Sequence, residues 1–208
     1  ELVVSRAKTV RGVFGLLTAV LIPLAFLIPS TSGRAAVAIP VFRSIANTLD
    51  DRRIVRALAI LIPTVILVST IVALVGAASH LIANDLLDQF AKTQISFTEW
   101  ALYGMPFGVT ASFIACWVVM WLFLGRSLGA RVVHLPKSQH KPLSASEWKT
   151  LTIVVLMVGF WLTESWHEFK IATVAVAGAL LLTFPGYGVL KLYPVHWLLH
   201  LALVLLDS

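Results

Sequence analysis

Charged residues are scarce in this sequence. They make up 12% of its 208 residues, whereas 59% of the residues are hydrophobic and the mean hydropathy is +0.91. A soluble domain would carry roughly a quarter charged residues. The apolar residues come in runs near the length that crosses a bilayer, without the two-residue alternation of a membrane barrel. The composition therefore predicts an all-α polytopic membrane protein with the lipid bilayer as a partner.

Cysteine and the usual catalytic motifs are scarce too. Cys116 is the single cysteine, so an intrachain disulfide is excluded. The chain has no Walker loop, GxSxG or HExxH motif, which disfavours an enzyme. Two pairs have metal-site spacing, His196 with His200 and Glu164 with His167, but neither has the further ligands that such sites need. We therefore expect neither catalysis nor a covalent cofactor.

The net charge of +6 is concentrated in particular segments. In a membrane protein, Lys and Arg mark cytoplasmic loops, so this excess is no sign of a nucleic-acid partner. Basic residues precede the first apolar run and fill residues 126–149. We expect a multi-pass inner-membrane protein in which the N-terminus and the 126–149 loop are cytoplasmic.

The first two apolar segments, residues 12–28 and 35–46, are close together. A crossing needs about 20 residues, and the second segment is too short for one. Basic residues flank both segments, which predicts a re-entrant helical hairpin with "PSTSGR", residues 29–34, at its tip near mid-membrane. The alternative is an ordinary tight turn in which Ser and Thr cap a helix.

The third apolar stretch, residues 54–87, would be about 50 Å long as a straight helix. It contains "VGAASH", residues 75–80, which predicts a discontinuous transmembrane helix: one half to about residue 74 and another from about residue 81. A small-residue face for helix packing is the alternative. The remaining predicted segments are an interfacial stretch at 95–106 and spans at 107–124, 151–163, 171–184 and 195–206.

Broken helices within a membrane suit ion binding. Half-helix N-termini attract anions, and unwound carbonyls attract Na⁺. Arg34 would add a fixed cation able to take a carboxylate with two hydrogen bonds, unless it snorkels to the headgroups. The candidate substrate-binding residues are Ser30, Thr31, Ser32, Gly33, Arg34, Ser79 and His80.

Four stretches resemble the divalent anion/sodium symporter family. "IPSTSGRAAVAIPVF" (28–42) is similar to that family's Ser-Asn-Thr hairpin signature, and "VGAASHLIANDLL" (75–87) to its Gly-rich break. "ISFTEWALYGMPFGV" (95–109) resembles its entry to the next span, and residues 143–185 resemble its post-loop Glu, span and turn. The resemblance covers roughly residues 27–185.

This resemblance implies an inverted-repeat transporter fold, of which the chain holds the N-terminal repeat. Residues 1–125 would form the hairpin, broken helix and next span. Residues 126–149 would form the basic loop, and residues 150–208 the start of a second repeat, truncated in this chain.

The resemblance also implies half a substrate site, one Na⁺ site and a homodimer when the protein is full length. The implied Na⁺ ligands are Ser30, Thr31, Gly76 and Ala77. Two departures from the signature, Thr31 for Asn and Arg34 for a small residue or Thr, leave proton coupling or exchange open.

The sequence therefore predicts a secondary transporter for small anions, di- or tricarboxylates or sulfate, coupled to Na⁺ or H⁺ and working by alternating access. A fragment or scaffold that packs against a partner without transporting is the second hypothesis. A membrane enzyme is the third, and only the turn at residues 164–168 offers it suitable residues. Water accessibility of the hairpin tip separates the first two.

Overall fold

A computed structural model describes residues 7–28, 30–49, 51–133, 144–167 and 169–184 of the chain. In these residues the regular elements are all helices, which confirms the all-α prediction. The chain divides into two compact units, Glu1–Lys141 and Pro142–Ser208. Within the described ranges, four helical segments are long and apolar enough to cross a membrane: Val10–Leu27, Arg52–Val72, Phe97–Phe123 and Ala145–Leu162.

The first unit is built from helices joined by short connections. They are α1 (Val10–Leu21), α2 (Leu24–Leu27), α3 (Thr31–Thr48), α4 (Arg52–Val68), α5 (Ala78–Ala91), α6 (Phe97–Phe123) and α7 (Gly125–Gly129). Two 3₁₀ turns, Ser69–Val72 and Leu74–Gly76, lie between α4 and α5. The core forms where α1, α4 and α6 pack together, around buried side chains such as Phe14, Leu58 and Cys116.

Three connections meet at one end of this unit. The Val10 amide donates to the Arg131 carbonyl over 3.1 Å, and the Val133 amide donates to the Lys8 carbonyl over 3.0 Å. Asp51, between α3 and α4, lies 3.8 Å from the Arg131 guanidinium. We call this the basic end. Since α1 starts here and α3 finishes here, α1–α2 and α3 run in opposite directions.

Several helix bounds differ from those predicted. α3 begins at Thr31 instead of residue 35, because the Ser30 hydroxyl accepts the Gly33 amide over 3.1 Å and so caps the polar first turn. The predicted second segment, residues 35–46, is therefore too short, since α3 has 18 residues. α6 begins at Phe97 instead of residue 107, since Ser96 and Glu99 form a capping box. The predicted interfacial stretch is thus mainly the first turns of α6.

The second unit contains α8 (Ala145–Leu162), α9 (Glu164–His167) and α10 (Ile171–Thr183). Two side chains hold the turn between α8 and α10: Trp161 donates to the Ile171 carbonyl over 3.2 Å, and His167 Nε2 lies 2.9 Å from the Phe160 carbonyl. His167 Nδ1 also accepts the Phe169 amide over 3.0 Å, so both ring nitrogens have a backbone partner. His196, His200 and the span predicted at 195–206 lie outside the described residues.

Candidate functional site

The connection between α4 and α5, residues 69–77, is the larger of two helix interruptions, and we call it the unwound segment. Ala73 (φ −128°, ψ 135°) and Ala77 (φ −149°, ψ 146°) are extended, and each follows a 3₁₀ turn. The helix is therefore discontinuous, as predicted. However, α4 ends at Val68 and α5 begins at Ala78, both earlier than expected.

Close backbone approach shapes the unwound segment. A Cβ added to Gly76 would overlap the Thr70 carbonyl oxygen, and one added to Gly104 of α6 would overlap the Ile71 carbonyl oxygen. A Cβ on Gly108 would lie 2.5 Å from Val72 Cγ1. This contact was not predicted, although the sequence carries a signal for it: "GMPFG" is a GxxxG pattern, which lets helix backbones come close.

Two aromatic side chains hold carbonyls of the unwound segment. Trp100 Nε1 donates to the Ile71 carbonyl over 3.0 Å. His80 Nδ1 lies 3.2 Å from the Ala73 carbonyl, and its ring lies 4.9 Å from the Trp100 ring. His80 thus takes part in the site as a support of the break. Trp100 lies in the stretch that was predicted to be interfacial, residues 95–106, and was not among the predicted site residues.

The shorter interruption lies between α2 and α3. Ile28 (φ −125°, ψ 93°) and Ser30 (φ −152°, ψ 122°) are extended here, and α2 packs against both 3₁₀ turns of the unwound segment. The Phe26 ring meets the Phe97 ring edge-on, with centroids 6.2 Å apart. The fold therefore brings the two predicted breaks side by side.

Arg34 connects these two breaks from inside the protein. It lies in the first turn of α3, its exposed fraction is 0%, and its Nη1 donates to the Ser69 hydroxyl over 3.0 Å. Ser69 also has an exposed fraction of 0% and was not predicted. The idea that Arg34 snorkels to the headgroups is wrong, because the guanidinium is enclosed by protein.

Two nitrogens of the Arg34 guanidinium, Nε and Nη2, are buried without a hydrogen-bond partner in the described part of the chain. Nε–H and one Nη2–H point the same way along one edge of the planar group, which is the edge that binds a carboxylate side-on. A buried cation with unused donors is costly unless an anion compensates it. This edge is therefore suited to bind an oxyanion.

The other predicted residues belong to the two breaks and differ in their exposure. The Ser30 hydroxyl is used as the α3 cap, while Ser32 and Ser79 are exposed. Thr31, Gly33 and Ala77 are partly buried, and Gly76 is buried. No cluster of three His, Cys, Asp or Glu that could hold a metal occurs among the residues described. A Na⁺ site made of hydroxyl and carbonyl oxygens remains a prediction.

Residues 6–197 match the family model described as the sodium:sulfate symporter transmembrane region. A "Membrane protein" of Cupriavidus necator is 24% identical over 180 residues, which cover 83% of this chain and 35% of that protein. A "Citrate/succinate antiporter" of Escherichia coli K12 is 27% identical over 130 residues, which cover 61% of this chain and 27% of that protein. The chain thus matches about a third of the length of these relatives.

Proposed function

Because the chain belongs to the sodium:sulfate symporter family, we propose that it forms part of a secondary transporter that carries small carboxylate anions across the inner membrane. This membership confirms the family resemblance seen in the sequence. The "Citrate/succinate antiporter" relative supports di- and tricarboxylates as the substrates. In this proposal the substrate lies between the two helix breaks, half of its site comes from this chain, and the full-length protein is a homodimer.

The buried Arg34 guanidinium carries the proposal. It lies where the two breaks meet, and its free Nε–Nη2 edge has the geometry of a carboxylate partner. The α5 N-terminus, at the end of the unwound segment, adds amides without a side-chain cap, because Ala77 provides none. Ser30, Thr31, Ser32, Gly33, Ser79 and His80 would complete the protein side of the substrate site.

The same arrangement supports a re-entrant hairpin. The 18 residues of Val10–Leu27 rise about 27 Å from the basic end, whereas the 27 residues of α6 cover about 40 Å. The tip packs on the unwound segment, which contacts α6 at Gly104 and Gly108. Phe26 at the tip also meets Phe97, the first residue of α6, so the tip lies near the far end of that helix. With the basic end in the cytoplasm, a rise of about 27 Å falls just short of a hydrocarbon core about 30 Å thick, so the tip would lie inside the membrane.

Arg34 also bears on the coupling mechanism. A permanent positive charge at the substrate site does part of the work that a bound cation would do for an anionic substrate. We therefore favour exchange of one carboxylate for another, in keeping with the antiporter relative. Na⁺ held by Ser30, Thr31, Gly76 and Ala77 is the alternative, and uptake measured with and without sodium distinguishes the two.

An Arg34→Gln variant tests the proposed function. We expect the apparent KM for succinate uptake to rise about a hundredfold, because two charge-assisted hydrogen bonds are lost. The assay is radiolabelled succinate uptake into proteoliposomes that contain the full-length protein and unlabelled succinate inside. Arg43→Gln is the matched control, since Arg43 is an exposed arginine on the same helix.

Arg43→Gln should leave the KM unchanged. If Arg34→Gln also transports with the parental KM, Arg34 does not bind substrate. If the parent protein shows no uptake of succinate, citrate or sulfate in either sodium condition, the scaffold hypothesis replaces the transporter.

A further inference from the structure

Ser69 lies at the junction where α4 ends and the first 3₁₀ turn begins. We propose that Ser69 is the positioning residue of the anion site: it holds Arg34 so that the Nε–Nη2 edge is presented to a carboxylate. This inference rests on the proposed function, because it concerns the same site. Neither the family match nor the relatives assign a role to this serine.

The hydrogen bonding around Ser69 is directional. The Ser69 hydroxyl lies 3.3 Å from the Ile66 carbonyl and donates its hydrogen to it. With that hydrogen used, the oxygen can only accept, and it accepts from Arg34 Nη1 over 3.0 Å. The hydroxyl therefore accepts from the guanidinium and cannot hydrogen-bond to a carboxylate, which has no hydrogen to donate.

The choice of Nη1 matters because of the shape of the guanidinium. A side-on carboxylate needs Nε and Nη2 together. A protein acceptor on Nε–H or on the Nη2–H beside it would split the pair, whereas an acceptor on Nη1 leaves both free. The hydrogen bond at Nη1 also restricts rotation about the last side-chain bonds of Arg34. The side chain therefore loses less conformational entropy when a carboxylate binds.

Ser69 further ties the guanidinium to the break. Its backbone belongs to the first 3₁₀ turn, which α2 and α6 pack against, and its side chain touches Arg34 of α3. A shift of the unwound segment would therefore move the carboxylate-binding edge with it. The hydrogen bond couples the position of the charge to the conformation of the helix break.

The carboxylate could come from a transported anion or from the protein itself. The proposed function requires that the carboxylate belong to the transported anion, so succinate is the probe. Binding is measured by titration calorimetry on the full-length protein in detergent, and exchange is measured in proteoliposomes. Thermal unfolding without succinate reports any structural role.

The variants are Ser69→Ala, Ser69→Thr and the control Ser112→Ala. Ser112 is also fully buried in the same unit and donates to its own helix, at the Gly108 carbonyl over 2.6 Å. We expect Ser69→Ala to raise the succinate Kd about tenfold, as for loss of one charge-assisted hydrogen bond, with little change in maximal exchange rate. The Kd of Ser69→Thr should stay within about twofold of the parent value because threonine retains the hydroxyl. The Kd of Ser112→Ala should equal the parent value.

A second background makes the test specific. In Arg34→Lys protein the planar fork is absent, so Ser69→Ala should cause no further loss of affinity. If Ser69→Ala does not fold, Ser69→Cys replaces it, and its weaker acceptor should still raise the Kd.

Three outcomes would overturn the inference. If the parent binds succinate and Ser69→Ala binds it equally tightly, Ser69 has no positioning role and the proposed function stands. If Ser69→Ala lowers the unfolding temperature more than Ser112→Ala but leaves succinate affinity unchanged, the serine is structural. If the parent binds neither succinate nor citrate, this inference and the proposed function both fail.

Discussion

Gly76 shows how tightly one position of the unwound segment is constrained. It is buried, and the space that a Cβ would need is filled by the Thr70 carbonyl oxygen, which belongs to the backbone and cannot rotate away. Any larger residue must therefore displace the 3₁₀ turns. The family resemblance implied Gly76 as a carbonyl ligand of Na⁺, whereas the structure gives it a steric role as well.

A Gly76→Ala variant should lower the free energy of unfolding by about 1–3 kcal/mol, because the added methyl group overpacks the segment. The measurement is thermal unfolding of the purified protein in detergent, with succinate binding as a second readout that should weaken. Gly15→Ala is the control: Gly15 lies on α1 with nothing within 4 Å of its added Cβ, and helix propensity favours alanine there. Equal stability of both variants would contradict the packing argument.

The structure excludes one of the two roles that the sequence predicted for Arg34. In the sequence it could be a substrate ligand or a snorkelling residue. Its burial and its bond to Ser69 exclude the second interpretation. Ser69 could not be identified beforehand, because it lies 35 positions away and has no motif of its own.

The helix interruptions depend on α6 as much as on their own residues. The α6 helix carries Gly104 and Gly108 against the unwound segment, and Trp100 on the preceding turn donates to the Ile71 carbonyl. Small residues allow the close contact, and the indole satisfies a carbonyl that the helix no longer pairs. A continuous helix nearby thus stabilises a discontinuous one.

A Trp100→Phe variant should loosen the unwound segment while keeping an aromatic ring beside His80. Loss of the hydrogen bond to Ile71 should cost about 1 kcal/mol locally. Hydrogen exchange followed by mass spectrometry should then be faster for residues 69–77. The control is Trp117→Phe, since Trp117 is an exposed tryptophan on the same helix. Unchanged exchange in the Trp100 variant would mean that the glycine contacts alone hold the segment.

The first unit has exposed positive charges at one end and the hairpin tip at the other. The basic end gathers the start of α1, the α3–α4 turn and the chain after α7, and exposed cations cluster there: Lys8, Arg11, Arg52, Arg53 and Arg131. All of these would lie on the cytoplasmic side under the positive-inside rule. The hairpin tip is at the opposite end of α1–α2, away from these charges.

Cysteine labelling tests this layout in the membrane. In a Cys116→Ser background, Ser32→Cys at the tip should react with a membrane-impermeant thiol reagent added from the cytoplasmic side, and succinate should slow the reaction. Gln94→Cys, an exposed position between α5 and α6, should react only from the outside. Labelling of Ser32→Cys from the outside alone would make α1–α3 an ordinary pair of crossing helices.

Hydropathy and the positions of Ser and Gly were enough to predict the all-helical class and the two breaks, and the resemblance of four stretches was enough to predict the family. These properties are local, because a bilayer-length apolar run and a helix cap depend on neighbours along the chain. The bounds of α3, α4 and α6 were less predictable, since the Ser30 and Ser96 caps extend two helices and packing against α6 ends the third early.

The contacts of Arg34 with Ser69 and of Gly76 with Thr70 could not be predicted from the sequence, because they form only when the helices pack and the segment unwinds. Burial of Arg34 arises when α3 packs on α4, and the bond to Ser69 exists only because α4 unwinds beside the tip. Local pattern therefore determines where this chain is helical and where it breaks. The packing of the helices decides which polar groups meet at the breaks, and so where the buried Arg34 guanidinium lies.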